Sequence, residues 1–277
     1  MEFIPNKVIY HNNCSDGFAA AYAIWKHAPA YRDIQYIPMS FSDRLPSFLN
    51  SDKILVIDFS FSKEVCDKIN DQALKFQILD HHKTAYDELK DCKYAKFDMT
   101  KSGAMLAWEW CTKEEPPDLI KYVQDRDLWK LELPMTREYS AALRSYPFNF
   151  EIWDKLGTEK LKEEGIILVE ATKTAVAQTC KNAFTKKICG YDVPVVNASL
   201  NFSEVGAWLL KLYPEAKFSV YYFDKSDGYR QWGLRSKPDF DCSVIAKKFG
   251  GGGHPQSSGF TTEISKNIYD HEYLIGE

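Results

Sequence analysis

Phe76-Gln77-Ile78-Leu79-Asp80-His81-His82 sets a short apolar run directly before a carboxylate and two imidazoles. The run has the length and composition of a strand buried on both faces, as in parallel sheets. Ionisable groups at the end of such a strand are poor packing material and good material for metal and phosphate chemistry. Consecutive histidines project in different directions, so their roles divide: one ring on a cation, the other facing substrate as acid or phosphate ligand. Asp80 is placed to orient an imidazole.

Upstream, Val8-Ile9-Tyr10 reads as a strand, His11 to Gly17 as the loop after it, and Phe18 to Lys26 as an Ala-rich helix. Ile34 to Ile37 is a second strand, Ile54 to Ile57 a third that ends on Asp58, and Lys63 to Asn70 a helix. This alternation with short loops predicts a parallel α/β sheet with right-handed crossovers. In such a sheet His11 with Asp16, Asp58, and Asp80 with His81 and His82 all fall on one carboxyl edge, where open α/β folds build their sites.

Each cluster also has a plain structural reading. Asp16 shares a cation with His11, or it caps the helix that begins at Gly17. Asp58 is a solvated strand end, or one carboxylate spanning two ions. Asp125 and Asp127 leave the helix Asp118–Gln124 with Arg126 neutralising them, or one of them completes a metal site.

Ser102 to Cys111 reads as a further helix, and Gly165 to Lys187 as a long helical connector. Strands follow at Asp192–Val196, Phe218–Phe223 and Tyr229–Leu234, with Asp227-Gly228 as a hairpin turn. Gly250 to Gly253 and His254 stand between a helix, Ser243–Phe249, and a strand at Gly259–Thr262. No G-K-[ST] follows, so the tract is not a P-loop. Glycines in that setting let backbone N–H groups approach an anion, with His254 as a donor. Arg235-Ser236 offers a bidentate phosphate clamp. Tyr146, Phe148, Phe150 and Trp153 either pack between domains or stack a base.

The bulk composition is that of a globular protein: 277 residues, 45% apolar and 27% charged. A net charge of −4 gives no global basic field for a long duplex, while a small anionic substrate needs only local cations. Seven cysteines without a C-x-x-C pair suggest free thiols in a reducing compartment. The start lacks a leader pattern and no apolar stretch approaches membrane length, so a cytoplasmic location is expected.

Taken together, the His11…Asp16-Gly17 loop, the Val-Ile-Asp58 strand end, Leu79 to Thr84, Asp125-Arg126-Asp127, Leu234-Arg235-Ser236 and Gly250–His254 resemble the DHH/DHHA1 phosphoesterase superfamily. The resemblance spans nearly the whole chain. It implies a Rossmann-like parallel sheet plus a smaller mixed α/β domain, with the active site in the cleft between them. The catalytic domain would take residues 1–145, a helical linker 146–187 and the substrate-binding domain 188–277. Two divalent ions are implied, usually Mn2+, with Mg2+, Co2+ or Zn2+ as alternatives. By this likeness His11, Asp16, Asp58, His81 and Asp125 are metal ligands and His82 meets the phosphate. Arg235, Gly252, Gly253 and His254 would hold the terminal phosphate or nucleotide.

The first motif departs from the family, which carries two aspartates where this chain has only Asp16. Either one ion is held more weakly, or an asparagine or Cys14 fills in, and a thiolate would favour zinc or iron over manganese. The implied activity is hydrolysis of short oligonucleotides or small nucleotides from an end by a metal-activated water, in a monomer or a homodimer. Two rivals are a phosphoanhydride hydrolase acting on polyphosphate or pyrophosphate, and a nucleotide sensor with a degraded site.

Overall fold

β1 (Lys7–His11), β2 (Gln35–Met39), β3 (Lys53–Ile57), β4 (Lys75–Asp80) and β5 (Ala95–Phe97) form one sheet in the order β2-β1-β3-β4-β5, every pairing parallel. The computed structural model describes residues 2–28, 33–40 and 43–269. It divides into two units, Met1–Val169 and Glu170–Glu277. The first unit intersperses its strands with α1 (Ser15–His27), α2 (Lys63–Gln72) and α3 (Lys83–Leu89). It continues through α4 (Gly103–Cys111), α5 (Asp118–Asp127), α6 (Thr136–Leu143) and α7 (Phe150–Trp153).

The period of two in the strands sorts their side chains between two cores. Val8, Leu55, Ile57 and Leu79 join Phe18, Ile24, Trp108 and Ile120 on one face; Ile9, Ile54, Val56 and Ile78 join Cys66, Ile69 and Leu89 on the other. Both faces are covered, which explains why the strands read as continuous apolar runs. From β1 the chain steps to β2 on one side, and β3 then pairs with β1 on the other. The order therefore reverses between β1 and β3, the position at which open α/β sheets leave a crevice beyond their carboxyl ends. His11 and Asp58 stand there.

The structure moves several helix boundaries, and one of these shifts redefines a segment. The long helix α8 spans Thr158–Cys180, where the sequence pattern had suggested Gly165 to Lys187. Phe184 to Lys187 instead belong to β6 (Phe184–Ile188), which pairs antiparallel with β7 (Tyr191–Asn197). The turn between them is Cys189-Gly190, with φ of 52° and 86°, and positive φ at both central residues suits a tight hairpin. An aromatic, a β-branched residue and an isoleucine within five positions favour the strand once that turn is in place.

The second unit adds α9 (Phe202–Leu212), β8 (Phe218–Asp224), β9 (Tyr229–Ser236), α10 (Ser243–Lys248), β10 (Gly252–His254) and β11 (Ser257–Glu263). Its six-stranded sheet runs β10-β11-β9-β8-β7-β6, with β7·β8 parallel and the rest antiparallel. Val193, Val195, Phe218, Val220, Trp232 and Leu234 fill its core. The Asp227-Gly228 turn joins β8 to β9 as expected, Gly228 having φ of 85°. The glycine tract is structural rather than a loose linker, since a Cβ at Gly251 would lie 2.0 Å from the Gly259 carbonyl oxygen. Gly252, Gly253 and His254 form the edge strand of the sheet, in register with Gly259, Ser258 and Ser257.

Candidate metal centre

Asp58 follows β3 and takes a left-handed backbone, φ 54°, which aspartate tolerates better than most residues. This turn brings its carboxylate against the end of β4, where Oδ1 lies 3.0 Å from His81 Nε2. Its other oxygen, Oδ2, is buried without a hydrogen-bond partner among the described residues. His11 Nδ1 lies 3.6 Å from it, at ion-pair distance but long for a hydrogen bond. A buried carboxylate oxygen left in this state is costly unless something cationic satisfies it.

His81 collects further acids: Asp16 Oδ2 at 3.6 Å and Asp127 Oδ2 at 3.7 Å. Asp16 does not cap its own helix. Its Oδ2 accepts from the Gly103 amide (2.6 Å) and its Oδ1 from the Ala104 amide (3.0 Å), so it sits on the N-terminus of α4. Gly103 is glycine for want of room, because a Cβ there would lie 2.5 Å from Asp58 Cβ and 2.9 Å from Asp16 Oδ2.

Asp80 is fully buried and works on the neighbouring ring. Its Oδ1 accepts from His82 Nδ1 (2.7 Å) and from the amides of His81 (2.7 Å) and His82 (3.1 Å), while Oδ2 accepts from Ser60 Oγ (2.5 Å). Holding Nδ1 in this way fixes the ring and presents Nε2 on its far side. The His11 and His82 rings lie 6.3 Å apart, so the ends of β1 and β4 meet across Asp58.

Several acids share few positive partners, and the protonation equilibria reflect it. Burial, then repulsion from Asp58 and Asp127, pushes the Asp16 carboxyl well up. Burial, which His81 partly offsets, and the Asp58 charge raise Asp127. Burial opposes charge on Asp58, but the imidazoles of His11 and His81 outweigh it and hold Asp58 well below the usual range. The same balance pushes His81 up to about 10, its burial overcome by the Asp58 hydrogen bond and the nearby carboxylates. His82 is raised because Asp80 outweighs its burial, and Asp80 is lowered in turn by His82 and Ser60 despite its own burial. Burial, then the Asp58, Asp127 and Asp16 carboxylates, drives the half-buried Cys14 thiol well up.

The geometry departs from the sequence expectation at Asp125. Its carboxylate accepts from the Glu132 amide (3.0 Å), the Leu133 amide (3.1 Å) and Thr136 Oγ1 (2.5 Å), so it pins the loop before α6 and does not join the cluster. α5 continues through Asp127, and residues two apart on a helix face different ways. Asp127 is the one that reaches His81. Ser60, Gly103 and Ser102, the N-cap of α4, escaped the sequence reading. A serine two residues after Asp58 and a Ser-Gly pair before an apolar helix were the signals available for them.

In the second unit the Arg235 guanidinium donates to Ser203 Oγ (2.9 Å) and the Leu234 carbonyl (2.9 Å), and α9 accommodates its stem with Gly206, where a Cβ would come 2.4 Å from Arg235 Cγ. Its orientation is therefore fixed. The Ser236 hydroxyl lies 2.6 Å from the Phe240 carbonyl and 3.0 Å from that of Pro255, which ties it to loop structure. The aromatic group around residue 150 packs within the first unit. Phe150 stacks on Phe18 at 4.7 Å and Trp153 meets Phe18 edge-on at 4.8 Å.

No family model matches the chain. A curated relative, the uncharacterized protein R106 of Acanthamoeba polyphaga mimivirus, is 30% identical over 292 residues, covering 91% of this chain. The chain spans 66% of that relative's length. Among solved structures, the pGpG-specific phosphodiesterase PggH of Vibrio cholerae superposes with a TM-score of 0.50 at 11% identity, covering 93% of each chain. RecJ of Thermus thermophilus, solved with Mn2+, also gives 0.50 at 13% identity, covering 94% of this chain and 50% of RecJ. No helix among the described residues is long and apolar enough to cross a membrane. With Asp80-His81-His82 at the end of β4 of an all-parallel sheet and a second, mixed unit following in the chain, the protein has the fold of the DHH proteins.

Proposed function

We propose that this protein is a metal-dependent phosphohydrolase that cleaves short oligonucleotides or small nucleotides from an end. The observation that carries the reading is the buried Asp58 carboxylate, which bonds His81 through one oxygen and leaves the other without a hydrogen-bond partner among the described residues. Asp16 and Asp127 crowd the same imidazole. The two imidazoles beside them, His11 and His81, face three carboxylates, and divalent cations can balance the excess negative charge. The donor set of carboxylates and imidazoles suits Mn2+, Mg2+, Co2+ or Zn2+.

In this reading His11, Asp16, Asp58, His81 and Asp127 hold two cations, Asp127 taking the place first expected of Asp125. Such ions, when bound, would acidify a water and neutralise phosphate oxygens. Asp80 and Ser60 keep the His82 ring fixed and its Nδ1 protonated. With its pKa raised, His82 carries a proton to the phosphate from Nε2, where it steadies the charge that develops on the leaving oxygen. The walls around Asp16, Asp58 and His81 exclude bulk water, which strengthens each of these interactions. Arg235, Gly252, Gly253 and His254 of the second unit bind the terminal phosphate, and Ser236 holds the loop beside them. PggH, a phosphodiesterase, and RecJ, which binds Mn2+, share the fold and support this reading.

The test is a panel of dinucleotides, cyclic dinucleotides, 3′,5′-bisphosphates and polyphosphate, each with Mn2+, Mg2+, Zn2+ and Co2+. Mononucleotide release that disappears in Asp58→Asn and His82→Ala is expected. Turnover that survives Asp58→Asn, or release of phosphate from polyphosphate alone, would refute the proposal.

A further inference from the structure

Cys14 occupies the N-cap position of α1 with an extended backbone, φ −121° and ψ 130°. Serine, threonine, aspartate or asparagine ordinarily fills that position. Cysteine brings little as a cap, and here it is half-buried rather than packed away like Cys66, Cys180 and Cys242. Its sulfur belongs to a close group with His11 and Asp58, their ligand atoms all lying within 4.8 Å of one another. Asp58 is 2% exposed, and its Oδ2, the oxygen 3.6 Å from His11 Nδ1, has no hydrogen-bond partner among the described residues. A nitrogen and a sulfur donor thus converge beside the Asp58 carboxylate, one oxygen of which makes no hydrogen bond among the described residues.

We propose that Cys14 is a metal ligand, giving one cation position a His11–Cys14–Asp58 donor set that selects a borderline ion (Zn2+, Co2+ or Fe2+) over Mn2+. The inference rests on the metal-dependent reading above and narrows it. Soft thiolate donors favour zinc, iron and cobalt, whereas manganese and magnesium prefer oxygen. Binding converts the thiol to a coordinated thiolate, and its proton leaves to solvent. The protein would then hold two unlike sites. One carries sulfur, and the other, around Asp16, Asp127 and His81, carries oxygen and nitrogen only.

The full-length protein is freed of metal with a chelator and titrated with Co2+ while its absorption is recorded. A thiolate-to-cobalt charge-transfer band in the near ultraviolet is expected, together with the weaker visible bands of bound cobalt. Cys14→Ser should lose the ultraviolet band and keep visible bands from the remaining position. Cys14→Asp should also lose it, and its preference for Zn2+ over Mn2+ should fall by roughly tenfold or more. X-ray absorption on the Zn2+-loaded wild type needs no variant and should show a sulfur neighbour at about 2.3 Å. Bound cobalt without the charge-transfer band, or a band that persists in Cys14→Ser, overturns the ligand assignment and leaves the hydrolase reading standing. Absence of any cobalt binding overturns both.

Discussion

Gly103→Ala probes the meeting of fold and site with a single methyl group. The added Cβ would lie 2.5 Å from Asp58 Cβ, 2.9 Å from Asp16 Oδ2 and 3.0 Å from Asp58 Cγ. Carbon atoms pack at about 3.5–4.0 Å, so something must give by roughly 1 Å. Neither neighbour is free to do so. Asp58 is held by its left-handed backbone and by His81, and Asp16 by the Gly103 and Ala104 amides themselves. Overpacking of this kind costs about 1–3 kcal/mol. Replacing a helical glycine returns roughly 0.5–1 kcal/mol. The net loss lies between about 0 and 2.5 kcal/mol and centres near 1 kcal/mol, which at that centre lowers the melting temperature of a unit this size by roughly 2–4 °C. Because the displaced groups are the acids of the cluster, Mn2+ and Co2+ affinity should fall as well, as read by calorimetric titration. Gly157→Ala is the control, since a Cβ there meets nothing within 4 Å. If Gly103→Ala melts with the wild type and binds metal unchanged, the close approach of α4 to Asp58 does not hold the centre together.

Asp125 and Asp127 should part company under substitution. Asp125→Asn removes a charged acceptor of three hydrogen bonds and should cost about 1.5–3 kcal/mol in chemical denaturation, while Asp127→Asn should abolish turnover and melt no lower than wild type. Asp52 supplies a pH signature remote from the site. It accepts from Lys7 Nζ (2.7 Å), the Leu49 amide (2.8 Å) and Asn6 Nδ2 (3.0 Å), which outweigh its burial and hold its pKa below normal. A depressed carboxyl contributes its full stability above the unfolded pKa of about 3.9 and loses it as the pH falls through the folded value. The stability difference between wild type and Asp52→Asn should therefore be constant near neutrality and vanish in acid. A gap that persists at the lowest pH would refute the assignment.

The parallel sheet was legible because β1, β3 and β4 are buried on both faces and show it as apolar runs, interrupted in β4 by Gln77. The site was legible because each run ends on an ionisable residue, and a parallel sheet sends such ends to one edge. β5 was not, since Ala95-Lys96-Phe97 is an edge segment of three residues with no periodicity to read. Choosing Asp127 over Asp125 required the end and the rotational phase of α5, and sequence patterns locate helix ends poorly. In sequence Asp16 suits a cap for its own helix, and only the tertiary fold shows that it serves α4 instead. The hairpin at Cys189-Gly190 was hidden by the run-on from α8, because Lys186 and Lys187 suit a helix as well as an exposed strand face.

The unusual torsion at residue 58 limits which replacements report on chemistry alone. Asparagine and glycine accept a φ of 54°, so either would delete the charge while keeping the strand exit. Valine or isoleucine would not, and the path through Phe59 to Ser60 would shift. Ser60 braces Asp80, so the fault would spread to His82 without either residue being touched. An inactive valine variant at this position would then measure damaged scaffolding rather than a missing ligand.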